Sequence, residues 1–146
     1  MSGVIDTNLL LLAANRDGEE HVRARQFLEQ QLSAPGVCYL TEGICYEFMR
    51  VATHRKVFPR PLKASEAKAF LDAILHAGET TVLVAGSDHW NVLSQVINKY
   101  PVCAGNLFFG VRTVVLMSEY GISDLFTADT DFLQFEEINV VNPLLR

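Results

Sequence analysis

Short apolar runs alternate with longer stretches of helical periodicity along the whole chain. Val4-Ile5 leads an apolar run that breaks at Asp6-Thr7-Asn8, the pattern of a strand buried on both faces that ends in a polar turn. Leu9 to Ala14 reads as a short helix, and Asn15-Arg16-Asp17-Gly18 is turn chemistry that interrupts it. A second helix is predicted from near Glu19, with Val22, Phe27, Leu28 and Leu32 on its apolar side and Pro35-Gly36 as its stop. Val37 to Leu40 suits only a strand, and Thr41 reads as the N-cap of a helix reaching about to His54.

Pro59 and Pro61 make the stretch from Lys56 to Leu62 a connection. A fourth helix is predicted from a Ser65 cap to about His76, then a β-branched strand over Thr80 to Val84, then a fifth helix from a Ser87 cap to Pro101. Gly105-Asn106 opens a sixth helix, in which Leu107, Val111, Val114 and Val115 form the stripe and Gly121 is the stop. Asp124 to Thr127 gives a strand, Asp129 to Phe135 a turn with a short helix, and Ile138 to Val141 a last strand. Strands alternating with helices throughout imply an α/β fold, with a mainly parallel sheet covered on both faces. The size, 146 residues without repeat or linker, predicts a single domain over residues 1–146.

Composition narrows the class. Apolar residues make up 49% of the chain, yet no run is long enough to span a bilayer and no basic-then-apolar leader precedes the first strand, so a soluble, cytoplasmic protein is expected. Cys38, Cys45 and Cys103 have neither pair spacing nor a nearby His, which predicts free thiols and no zinc site. The net charge of −5 is unevenly spread. Arg50, Arg55, Lys56, Arg60, Lys63 and Lys68 cluster with Glu66 as their only acid. That group reads either as a solvated surface or as a rim that contacts the phosphates of a polyanion beside an acidic pocket.

Candidate chemistry lies at the strand ends. Asp6 closes the first strand, and Asp129 and Asp131 follow the fourth; they converge if those strands are neighbours, because loops at that edge of an open α/β sheet surround ligands. Asp6 also reads as a helix N-cap, and both alternatives stand. Glu47 falls inside the stripe Ile44, Phe48, Val51, where an unpaired carboxylate is costly, so it needs Arg50 or a bound metal as partner. Gly110 interrupts the sixth helix at a cost of about 1 kcal/mol relative to alanine, which calls for close packing there or marks a lost larger side chain.

In order along the chain stand Val4-Ile5-Asp6-Thr7-Asn8, His21 with Ala24, Tyr46-Glu47-Phe48-Met49-Arg50-Val51-Ala52-Thr53, Val57-Phe58-Pro59, Gly105-Asn106-Leu107 and Thr127-Ala128-Asp129-Thr130-Asp131-Phe132. This ordered set resembles the PIN domains, and among them the VapC-type toxins of toxin-antitoxin pairs. The resemblance implies a three-layer α/β/α sandwich and a Mg2+- or Mn2+-dependent endoribonuclease. It also implies Asp6, Glu47 and Asp129 as catalytic residues, with Asp131 joining them in holding the ion. RNA contacts are expected from Arg50, Arg55, Lys56 and Arg112, and the expected partners are an RNA substrate, a cognate antitoxin and a second copy in a homodimer. The chain departs from the family pattern at Gly110, where an Asp is usual, and at Arg112, where a His is frequent. A degenerate PIN domain that binds antitoxin or RNA without cutting is the alternative.

Overall fold

The computed structural model describes residues 2–145. Five strands form one wholly parallel sheet in the order β3-β2-β1-β4-β5. They are β1 (Gly3–Ile5), β2 (Cys38–Thr41), β3 (Thr80–Leu83), β4 (Asp124–Phe126) and β5 (Asn139–Val141). β1 is wholly buried, as the unbroken apolar run requires of a central strand, and pairs Val4 with Tyr39 of β2 and with Leu125 of β4.

Six helices cover the sheet: α1 (Thr7–Ala14), α2 (His21–Ser33), α3 (Glu42–Ala52), α4 (Ala64–Leu75), α5 (His89–Lys99) and α6 (Leu107–Tyr120). The connections from β1 to β2 and from β2 to β3 run one way across the sheet, and that from β3 to β4 runs back. Right-handed crossovers therefore put α1 to α4 on one face and α5 and α6 on the other. The packing agrees, since α1 lies on α2 and α3, α3 on α4, and α5 on α6. This is the expected three-layer α/β/α arrangement. Phe48 and Phe126 are among its largest fully buried side chains.

Several helix ends differ from the sequence reading. The predicted caps Ser65 and Ser87 are not caps. Lys63 stands at the N-cap of α4, where its backbone N–H donates to Glu66 Oε1 at 2.9 Å, and Asp88 stands at the N-cap of α5. An acid three residues into a helix satisfies a free N–H as well as a serine hydroxyl does. The Thr41 cap forms as expected, with its side chain accepting from Ile44 N at 3.0 Å. Gly121 ends α6 in the left-handed conformation at φ 67°, which suits glycine. All three cysteines are free thiols. Among the described residues no helix is long and apolar enough to cross a membrane.

Candidate active site

β1 and β4 are neighbours, so the two acidic strand ends meet. Asp6 leaves β1, and its side chain caps α1 by accepting from Thr7 N at 2.9 Å. Its other oxygen, Oδ2, accepts from Thr127 Oγ1 at 2.9 Å and from Asn8 Nδ2 at 3.0 Å. Capping and a place at the sheet edge are thus both true of Asp6, because one carboxylate has lone pairs for each. Asp129 follows β4 and caps a 3₁₀ turn over Thr130–Gln134 by accepting from Asp131 N at 2.9 Å.

Asp6, Glu47, Asp129 and Asp131 line one cavity of about 380 Å³ together with Arg50, Arg112, Gly43, Phe109, Gly110 and Phe132. Asp6 is buried, Glu47 is half-buried and the other two acids are exposed. Burial pushes the Asp6 carboxyl up to about 6, and hydrogen bonds from Thr127 and Thr7 oppose that rise while repulsion from Glu47 and Asp129 adds to it. The proximity of the three acids is thus felt at Asp6.

Glu47 forms no ion pair with Arg50 among the described residues; its Oε2 lies 3.5 Å from Thr7 Oγ1, and Arg50 stays exposed at the cavity wall. The expected protein partner is absent; Glu47 is only partly buried, so its carboxylate retains contact with water. Of the four expected RNA-contacting residues, Arg50 and Arg112 reach the cavity, while Arg55 and Lys56 sit exposed in the connection beyond α3. Two further members of the basic cluster are engaged elsewhere: Arg60 grips Asp17 through two bonds of 2.8 and 3.1 Å, and Lys68 pairs with Asp72.

No family model matches the chain. Curated relatives do, end to end. Ribonuclease VapC48 of Mycobacterium tuberculosis is 28% identical over 144 residues, spanning 98% of both chains, and ribonuclease VapC33 of the same organism is 27% identical over 142 residues, spanning 95% of this chain and 96% of its own. The chain is similar along nearly its whole length to VapC ribonucleases, which supports the PIN-domain resemblance. Solved structures share the fold. A chain of VapBC2 from Rickettsia felis, bound to a DNA fragment from its promoter, superposes with a TM-score of 0.67 at 15% identity over 97% of this chain and 98% of that one. VapC20 of Mycobacterium tuberculosis, a sarcin-ricin loop cleaving toxin, gives 0.61 at 16% identity over 95% and 99%.

The position of Gly110 has a local cause. A Cβ there would stand 3.2 Å from Cζ and 3.3 Å from Cε1 of Phe132, a nearly buried ring in the turn that carries Asp131. Glycine lets that ring lie on α6 and so seats the acidic turn. Gly43, in the first turn of α3, has a similar use: a Cβ there would overlap the guanidinium of Arg112, which packs on that backbone.

Sequence reasoning missed Thr127 and Asn8. The Thr127 hydroxyl, fully buried, donates to Asp6 and accepts from Asn8 Nδ2 at 2.8 Å and from Asp129 N at 3.0 Å. Asn8 Oδ1 in turn accepts from Ala128 N at 3.0 Å. The available signal was the recurrence of Asp-Thr-Asn after one strand and Thr-Ala-Asp after its neighbour.

Among the described residues no group of three acidic, His or Cys side chains is placed to hold a metal ion. The acidic side chains around the cavity nonetheless offer only carboxylate oxygens, so the residues fit a hard divalent ion in type.

Proposed function

We propose that the protein is a metal-dependent endoribonuclease of the VapC toxin type. The observation that carries this reading is the convergence of Asp6, Glu47, Asp129 and Asp131 on one cavity at the end of the central strand. Relatives matched along nearly their whole length are ribonucleases by name, which supports the same chemistry here. Asp6, Glu47 and Asp129, with Asp131 at the rim, would hold Mg2+ or Mn2+. Such an ion, when bound, supplies a hydroxide nucleophile and stabilises the leaving oxygen of a phosphodiester. The chain's own contribution is positional. Thr127 and Asn8 fix the Asp6 carboxylate, the Phe132 ring on Gly110 fixes the turn bearing Asp129 and Asp131, and Arg50 and Arg112 offer cations to phosphate.

The same reading assigns the protein an antitoxin as partner, supported by neighbours solved as VapBC2 and as a toxin-antitoxin complex from Klebsiella pneumoniae, and a second copy as dimer mate, which rests on the family resemblance alone. The test is cleavage of structured RNA with Mg2+ or Mn2+, abolished by chelation and reduced at least about 100-fold by Asp6→Asn. Cleavage that survives both chelation and that substitution would end the proposal.

One observation favours a second reading, a binding module without cutting activity: Gly110 adds no carboxylate and Arg112 adds a cation to the same cavity. RNA binding by wild type with no cleavage under either ion would select it.

A further inference from the structure

Phe109 is 59% exposed at the wall of the acidic cavity, in the first turn of α6 and outside the hydrophobic core. Three residues on, and so on the same side of the helix, stands Arg112. Its guanidinium rests on the backbone of Gly43 and forms no ion pair among the described residues; Arg50, which lines the same cavity, forms none either. An apolar ring in water is unfavourable for the free protein, so its place beside two uncommitted guanidinium groups calls for an occupant that is flat, apolar on its faces and attached to phosphate. A nucleotide has that chemistry: its base stacks on an aromatic face while its phosphate accepts from arginine.

Resting on the ribonuclease reading, we infer that Phe109 is the stacking platform for an unpaired base of the RNA, and that Arg112 takes the phosphate attached to it. Phe109 and Arg112 are therefore specificity and positioning residues that select single-stranded or splayed-out nucleotides, since a base inside a duplex has no free face to offer. Gly43 belongs to the same device. Without its open backbone the guanidinium has no seat. A protein occupant would be served equally by the ring, but two free cations within one cavity wall favour a polyanion.

The experiment uses the full chain with Trp90, its one tryptophan, replaced by Phe and a reporter installed by Phe109→Trp. With metal chelated, so that nothing is cut, a short single-stranded RNA should quench the reporter, and an abasic strand of the same length should bind without quenching. Independently of that reporter, Phe109→Ala should weaken single-stranded RNA binding roughly 5- to 150-fold with an unchanged salt slope. Arg112→Ala should lower the salt slope by about 0.7. Quenching by the abasic strand, or equal affinity of wild type and Phe109→Ala, overturns the inference and leaves the ribonuclease reading standing. Failure of wild type to bind any RNA overturns both. If Phe109→Ala keeps its RNA affinity and instead loses self-association in sedimentation, the ring serves a protein contact and the inference is overturned.

Discussion

Thr127 donates its hydroxyl to Asp6 Oδ2 at 2.9 Å, joining side chains 121 residues apart across the boundary of two neighbouring strands. Thr127 Oγ1 also accepts from Asn8 Nδ2 and Asp129 N, so the hydroxyl uses its one proton and both lone pairs. Thr127→Val keeps the β-branched shape and deletes all three bonds. It should cost about 1–3 kcal/mol in urea unfolding, since the groups left behind are buried or half-buried, whereas Thr127→Ser should retain most of the stability. Equal midpoints for Val and Thr would show that the network holds nothing.

The proton on Asp6 gives stability a particular pH dependence. Its folded value of about 6 lies above the ordinary 3.8. Between about pH 4 and 6 the folded state therefore binds more protons than the unfolded chain, and stability falls as pH rises through that window. The cost is absent below it and complete above it, on the order of 3 kcal/mol. Asp6→Asn cannot ionise, so its unfolding free energy in metal-free buffer should gain on wild type between about pH 4.5 and 7.5. Parallel curves would mean that Asp6 titrates as an ordinary carboxylate.

Gly110 sets two effects against each other. Ala at this position removes the glycine cost of about 1 kcal/mol in the helix, and Asp only a small part of it, but either presses on the Phe132 ring. In wild type, Gly110→Ala should therefore gain less than that, and in a Phe132→Leu background it should gain the full amount, a coupling that a double-mutant cycle reads directly. Gly110→Asp should in addition strengthen Mn2+ binding by calorimetry, which Ala cannot do. Identical metal titrations for Asp and Ala would rule out a missing ligand and leave packing as the whole reason for glycine.

Farther along α6, Glu119 clasps the connection between β3 and α5. Its Oε1 accepts from Gly86 N at 3.0 Å, and its Oε2 lies 2.6 Å from His89 Nδ1. Glu119→Ala should raise amide exchange of residues 84–89 while leaving β1 and β4 protected, because the opening is local. Unchanged exchange in that segment would show that the clasp is dispensable.

Much of this was readable in the chain, for a physical reason. A strand buried on both faces must be apolar, so the polar break at Asp6 and the acids after Phe126 marked strand ends without ambiguity. Glu47 stood out because it interrupts a stripe. The helix starts at Lys63 and Asp88 were obscured because a backbone N–H donates to any nearby oxygen, so Ser65 and Ser87 looked as competent as the groups at those starts. Thr127 was hidden by its residue type: β-branched residues populate strands for shape alone, and nothing local shows that a hydroxyl meets partners from 119 and 121 residues away. The fit of Phe132 to Gly110 is likewise a distance between elements, and helix propensity saw only the hole.

β1 lies in the middle of the sheet, between β2 and β4, so the first-made strand waits for nearly the last. On the ribosome Asp6 and Glu47 emerge early, and Asp129 follows Glu47 by about eighty residues. At roughly 5–20 residues per second, that is a delay of about 4–16 seconds. Throughout it, the nascent chain holds half of its carboxylates and an open edge on its central strand. The proposed metal site is thus unfinished on the ribosome until β4 docks, and a message truncated before that point yields a chain that lacks Asp129 and is prone to stick to others through the unpaired edge.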